Sequence, residues 1–238
     1  MVALACALFF STSITQAQTA TVTGKIELVE SSKQKKAQGA SPSVVWLTPL
    51  GANKPNSADA MKPLNPPPQL VQKNKSFSPH LLVIPVGSAV VFPNHDPFFH
   101  NVFSLFEGKR FDLGLYEAGS ERLVHFDQPG ISYIFCNIHP EMSAVVIALS
   151  TKWYAISDAN GEISIADVPY GRYLLHAWNE HALPDTLQSA TREVTISPDA
   201  PALGLLRLKA NPEPVLAHKN KYGRDYDQPS PSSPIYPQ

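Results

Sequence analysis

The chain has 238 residues, 43% of them hydrophobic, enough to bury the core of one large or two small domains. Its 19 lysines and arginines nearly balance 20 aspartates and glutamates, for a net charge of -1. With no basic excess to hold phosphate backbones or anionic lipid, nucleic acid is not an expected partner.

The first residues, MVALACALFFSTSITQAQ, form a short apolar run followed by small and polar residues, with Thr15-Gln16-Ala17 as a small-x-small cleavage site. Residues 1–17 are expected to be a secretion signal that is removed, which makes the protein periplasmic or secreted. The run is too short for a membrane span, and no later segment reaches the roughly 18 apolar residues that one needs. Cys6 lies inside the run, so Cys136 is expected to be the single cysteine of the mature chain. In an oxidising compartment an unpaired thiol needs an explanation, and a bound metal is one.

From Thr21 onward short β-type runs alternate with Gly, Pro, Asn and Asp, without any long helical periodicity, which predicts an all-β chain. In residues 20–50, Thr21–Val29 and Ser43–Thr48 read as strands. Residues 51–73 carry Pro55, Pro63, Pro66, Pro67 and Pro68, which cannot donate to a ladder, and read as a connector. Residues 74–150 hold predicted strands near Leu81–Val86, Ala89–Phe92, Asn101–Leu105, Arg122–Phe126, Ile131–Phe135 and Ser143–Leu149, spaced as in a Greek-key sandwich. Residues 151–210 hold a third group, near Tyr154–Ser157, Glu162–Ile165, Arg172–Trp178, Arg192–Ile196 and Leu203–Leu208, with turns at Asp158-Ala159-Asn160-Gly161 and Val168-Pro169-Tyr170-Gly171. Residues 211–238, rich in Pro and Ser, predict a disordered or surface-draped tail.

The chemistry concentrates in Phe135-Cys136-Asn137-Ile138-His139-Pro140-Glu141-Met142, a CxxHxxM loop at the end of a predicted strand. Thiolate and thioether sulfurs beside imidazole select copper, and two His with one Cys and a weak axial Met is the donor set of electron-transfer copper. Zinc accepts Cys and His but takes Met poorly. The loop supplies three donors, and the fourth must come from a distant segment. His100, in Pro97-Phe98-Phe99-His100-Asn101-Val102, is the candidate, while His95, five residues earlier, is in reach of the same rim.

The pair HNV and CxxHxxM, among short strands, resembles the cupredoxins, the small blue-copper proteins that include plastocyanin, azurin and amicyanin. The resemblance spans about residues 74–150, and the loop has the short amicyanin form in which His is followed by Pro. It implies a mononuclear copper site with His100, Cys136 and His139 as equatorial ligands and Met142 as the axial one. It also implies that Asn101 braces the two ligand segments, with its amide near the Cys sulfur, and that His139 is the electron port, ringed by Pro97, Phe98, Phe99 and Pro140. Glu141 departs from amicyanin, which has an aromatic residue there.

What the resemblance implies is an exported electron carrier, not an enzyme, that exchanges electrons with a dehydrogenase or c-type cytochrome docking near His139. The amicyanin likeness suggests a quinoprotein amine dehydrogenase. Cys136 is flanked by Phe135 and Asn137, without the adjacent histidines that relay electrons in multicopper oxidases and copper nitrite reductases. The alternatives are a periplasmic protein that binds or stores copper and an envelope binding module without metal. Gly24-Lys25-Ile26, Val44-Val45-Trp46-Leu47 and Ile156 to Tyr173 are similar to the strands of carboxypeptidase regulatory-like or transthyretin-like sandwiches. The cupredoxin-like unit is therefore expected to be inserted into a second small β-sandwich made of residues 20–50 and 151–210.

Overall fold

The computed structural model describes residues 18–29, 41–51, 61–105, 108–211 and 219–226. The expected secretion signal, part of the connector and much of the tail lie outside the described residues. The strands are β1 (Thr19–Val29), β2 (Val44–Pro49), β3 (Val71–Gln72), β4 (Phe77–Ser78), β5 (Leu81–Pro85), β6 (Ala89–Pro93), β7 (His100–Ser104) and β8 (Phe111–Tyr116). They continue with β9 (Glu121–His125), β10 (Gly130–Cys136), β11 (Ser143–Leu149), β12 (Tyr154–Ile156), β13 (Glu162–Pro169), β14 (Gly171–Trp178), β15 (Arg192–Ile196) and β16 (Ala202–Lys209). One short helix, α1 (Pro184–Ala190), has Pro in its first turn, where the missing N–H costs nothing. Among the described residues the fold is all-β apart from that helix.

Hydrophobic pattern decides how the sheets stack. The sheet β13-β1-β16 packs on the sheet β12-β2-β14-β15 through Val22, Ile26, Ile163, Ile165 and Leu206 on one side and Val45, Leu47, Tyr173 and Leu175 on the other. The opposite face of the second sheet, with Val44, Trp46 and Trp178, meets Val145, Ile147 and Leu149 of the sheet β5-β11-β10-β7-β8. That third sheet turns Ala144, Val146, Ile134 and Val102 toward Val90, Phe92 and Val124 of the β6–β9 ribbon. Four layers thus enclose three apolar seams. Because the two middle sheets are covered on both faces, VVWL of β2 and SAVVIAL of β11 read as continuous apolar runs. Outer strands such as β13, with burial alternating along EISI, show the period of two.

Strand pairing also shows where the chain departs from and returns to the first two sheets. Strand β1 pairs antiparallel with β13 and parallel with β16, and β2 pairs with β12 and β14. The named strands β3 to β11, which lie between β2 and β12 in sequence, find their ladder partners among themselves. The first strands do not enter the sheets that carry the CxxHxxM loop.

Some local expectations differ from the structure. Strand β8 is absent from the sequence reading, where Asp112 and Gly114 of FDLGLY are residue types that strands disfavour. Gly114, at φ 66, supports a bulge where the β7–β8 register shifts between Asn101 and Phe103. Val168 and Pro169 belong to β13, not to a turn. Helix α1 is only seven residues long, and Leu187 and Ala190 alone face the core, too few to signal a period. The end of the proline-rich connector runs along β6: Leu70 donates to the Val91 carbonyl (2.8 Å) and Val91 donates to the Pro68 carbonyl (2.9 Å). Proline at the edge is compatible with that ladder because its carbonyl still accepts.

A polar cluster bridges the two sandwiches. His80 Nε2 lies 2.6 Å from Glu180 Oε2, and His80 Nδ1 lies 3.1 Å from the Ser143 carbonyl. Glu180 is buried, and its other oxygen accepts from Ser41 and lies 3.4 Å from His181 Nε2. The hydrogen bond to Glu180 raises the His80 pKa above its ordinary value despite burial. Burial works to raise the Glu180 pKa, but His80, Ser41 and His181 outweigh it and hold the carboxyl below its usual range. The histidine contributes stability that is complete below about pH 6.5 and is lost as pH rises through its raised pKa. The glutamate contributes stability that is present above about pH 4.5 and lost as pH falls through its lowered pKa. The His80 side chain is 40% exposed, so solvent screening limits its share to about 1 kcal/mol or less. Thermal unfolding followed from pH 6 to pH 9 is therefore expected to show a falling midpoint in the parent and a flatter profile in His80→Ala.

Candidate metal centre

Strand register brings the first two donors together. Cys136, the last residue of β10, lies opposite Val102 of β7, and Phe135 lies opposite Phe103. Side chains alternate along a strand, so His100 shares the inward face with Val102 and becomes the diagonal neighbour of Cys136. Both are fully buried. Asn101, of opposite parity, turns its side chain to β8, where Nδ2 donates to Asp112 Oδ1 (2.8 Å) and to the Gly114 carbonyl (3.0 Å). Its carbonyl accepts from the Asn137 amide (2.8 Å), which ties β7 to the loop after Cys136.

That loop closes by a β-turn. Met142 donates its amide to the His139 carbonyl (3.1 Å), with Pro140 at the second position, where its fixed φ suits the turn. Cys136 donates its amide to the Met142 carbonyl (3.3 Å), so the loop begins and ends at one point. His139 is thereby carried back over the sulfur. His100 Nδ1 lies 3.6 Å and His139 Nδ1 3.5 Å from Cys136 Sγ. Ligand atoms of all three residues lie within 4.8 Å of one another, the one such group of His, Cys, Asp or Glu among the described residues. Met142 is fully buried in the same apolar cluster as Cys136. His95 is exposed and does not belong to the group.

The protonation pattern suits a metal. Asp96 Oδ2, an acceptor, lies 2.9 Å from His100 Nε2, so Nε2 carries the proton and Nδ1 points a lone pair at the sulfur. Asp96 is itself held: its oxygens accept from the amides of Asn74 (2.6 Å) and Lys75 (3.0 Å), and its amide donates to Asn94 Oδ1 (3.0 Å). Burial works to raise the Asp96 pKa, but the Lys75 amide, His100 and the Asn74 amide together keep the carboxyl ionised below its usual range. Burial lowers the His100 pKa, more than Asp96 raises it. Burial, with repulsion from a charged His100 second, pushes His139 down to about 4. Burial raises the Cys136 pKa against the amides of Asn101, Ile138 and His139, which favour the thiolate. Both rings are thus neutral at neutral pH, and each offers an unprotonated nitrogen to a metal.

A test of fit follows from the distances. A transition ion held in a trigonal plane, with bonds of about 2.0 Å to nitrogen and about 2.3 Å to sulfur, sets sulfur and nitrogen about 3.7 Å apart. The observed separations of 3.6 Å and 3.5 Å agree with that edge. Phe98 packs against both imidazoles, with ring centroids 5.4 Å from His100 and 5.5 Å from His139, and so limits their rotation.

No protein-family model and no curated protein matches the sequence. Among solved structures, a copper-containing nitrite reductase from Thermus scotoductus SA-01 is 26% identical over 42% of this chain and 25% of its own, with a TM-score of 0.34. This chain thus spans a quarter of that enzyme. A purple cupredoxin from Nitrosopumilus maritimus is 26% identical over 34% of this chain and 99% of its own, with a TM-score of 0.32. Amicyanin from Paracoccus versutus is 20% identical over 36% of this chain and 84% of its own, with a TM-score of 0.33. Each overlap is local, and what the site can bind is decided by its own donors.

Asp96 and Asn94 are absent from the sequence reading, although both sit in the PNHDPFFHN segment beside the two histidines considered there. A carboxylate four residues before a candidate ligand was the available signal, since metal-binding histidines commonly donate their second nitrogen to a carboxylate. Replacing Asp96 by Ala leaves His100 Nε2–H buried without its acceptor. The metal-free variant is expected to lose about 1–3 kcal/mol in denaturant unfolding. Nitrogen NMR of the parent is expected to show His100 as the Nε2–H tautomer, and the variant is expected to lose that preference.

Proposed function

We propose that this protein is an exported one-electron carrier in which His100, Cys136, His139 and Met142 would hold a single copper ion. The carrying observation is the convergence of one thiol and two neutral imidazoles at sulfur–nitrogen separations of 3.5–3.6 Å. A bound copper ion supplies one-electron chemistry by alternating between Cu(I) and Cu(II). The chain's own work is to hold the donors still. Asp96 fixes the His100 ring, Phe98 packs on both rings, and the Asn101–Asn137 bond ties the ligand segments together. Donors that need not move between oxidation states make exchange fast, and burial of Cys136 and His100 keeps water from the sulfur. The buried Met142, six residues beyond Cys136 and returned to it by the loop hydrogen bond, is the soft fourth donor of this reading.

Electron exchange is assigned to the His139 edge. His139 is 7% exposed, whereas His100 and Cys136 are fully buried, and Pro97, Phe99 and Pro140 around it are exposed. A redox partner, a dehydrogenase or c-type cytochrome, would dock on that apolar rim in the periplasm or outside the cell. No helix among the described residues is long and apolar enough to cross a membrane. The carrier reading is preferred to an enzyme because Phe135 and Asn137, not histidines, flank Cys136. Residues 74–150 form the cupredoxin-like copper unit, inserted into a carrier sandwich of residues 20–50 and 151–210. The ladders of β1 with β13 and of β2 with β14 support that division.

Reconstitution with copper tests the assignment. The parent is expected to take up one equivalent and develop an intense visible sulfur-to-copper band that bleaches reversibly on reduction. Cys136→Ser and His100→Ala are expected to lose the band, while His95→Ala keeps it. A tight, colourless Cu(I) complex without reversible oxidation would favour storage, and loss of colour in His95→Ala alone would overturn the choice of His100.

A further inference from the structure

Beyond the sandwiches, residues 219–226 lie against the metal loop. Lys221 donates its amide to Asn137 Oδ1 (2.9 Å), and its Nζ donates to Asp112 Oδ2 (2.7 Å). The other oxygen of Asp112 accepts from Asn101 Nδ2, so one lysine reaches both ligand-bearing segments. Tyr226 donates its hydroxyl to the Cys136 carbonyl (2.8 Å), ninety residues away in sequence. The segment is shaped for this by its own hydrogen bonds. Asn220 Oδ1 accepts from the amides of Tyr222 (3.0 Å) and Arg224 (3.1 Å), and the Gly223 amide donates to the Asn220 carbonyl (2.8 Å). Gly223 takes φ 75, which favours glycine.

We propose that residues 219–226 are a strap that fixes the Cys136–Met142 loop, and that Tyr226 is a positioning residue for the cysteine sulfur. The carbonyl of Cys136 has no partner across the sheet from β11, because β10 and β11 pair only as far as Phe135 and Ser143. Two bonds already hold this stretch, the Cys136 amide on the Met142 carbonyl (3.3 Å) and the Asn137 amide on the Asn101 carbonyl (2.8 Å), and the Cys136 carbonyl is the remaining polar group of its peptide. The Tyr226 hydroxyl takes that carbonyl, and the Lys221 amide takes the next side chain, Asn137. The strap thus holds the carbonyl of the peptide whose amide Asn101 already holds, and it adds a bond to the next side chain, so the backbone beside Sγ is fixed from both sides. Lys221 adds a charged anchor: its hydrogen bond to Asp112 raises the ammonium pKa, so it stays protonated through neutral pH. This role rests on the copper reading for its spectroscopic test but not for its metal-free test.

The full-length chain is compared with Tyr226→Phe and Lys221→Ala, and with Arg224→Ala as a control at an exposed strap residue whose backbone, not its side chain, makes the bonds within the strap. In the metal-free proteins, amide hydrogen exchange across 136–142 is expected to quicken about two- to tenfold in Tyr226→Phe and Lys221→Ala, as loss of one hydrogen bond predicts, and to stay at the parent rate in Arg224→Ala. In the copper-loaded proteins, Tyr226→Phe is expected to change the energy or intensity of the sulfur-to-copper band and the reduction potential. Parent exchange rates in both Tyr226→Phe and Lys221→Ala would overturn the strap. An unaltered spectrum and potential in Tyr226→Phe, in a protein whose parent takes up copper, would overturn the positioning role. If the parent takes up no copper, the copper reading fails and the strap is judged by metal-free exchange alone.

Discussion

A slip of one residue in the β7–β10 ladder would turn Cys136 away from His100, because neighbouring side chains on a strand face opposite sides. The observed register, with Cys136 opposite Val102, puts the sulfur and the first imidazole on the inward face. Several independent features defend it. Phe103 and Phe135 pack with centroids 5.9 Å apart on the other face, and SAVVIAL of β11 holds β10 between two apolar seams. A slip would expose those groups along with the donors. The stability of the sheet and the geometry of the site are therefore one constraint.

Around that register the chain lowers the cost of gathering three donors in an apolar interior. A buried charge without a partner is expensive, and the site avoids it by keeping both imidazoles neutral while Asp96 is ionised but accepts three hydrogen bonds. Asp96 also selects the His100 tautomer, which leaves the other nitrogen bare. The loop after Cys136 needs no further secondary structure, because a proline turn and two backbone bonds close it. What the sheet does not reach, the 219–226 segment does.

The layered arrangement connects this site to the rest of the molecule. The face of β11 opposite the site packs on Val44 and Trp178, and Trp178 Nε1 donates to Tyr133 of β10 (3.3 Å). The second sandwich is thus the floor beneath the sheet that carries Cys136 and His100, not a remote appendage. The His80–Glu180 pair closes the same interface at its polar edge, one residue past Met142 in contact with the Ser143 carbonyl.

By itself the sequence determined the local chemistry: an all-β chain from period-two runs broken by Gly and Pro, and donors of recognisable type in CxxHxxM and HNV. Those properties depend on neighbours within a few residues, which is why they can be read along the chain. The departures share a cause. Strand β8 is hidden by Gly114, whose bulge makes sense only beside Asn101, and the acceptor role of Asp96 needs the Asn74 and Lys75 amides brought from another loop. Only the tertiary structure decided that His100 and not His95 meets Cys136, that two sheets are buried on both faces, and that a tail segment bonds to the backbone of Cys136. Each is a relation between segments distant in sequence, set by ladder register and by the need to pair every buried polar group, and no local pattern encodes it.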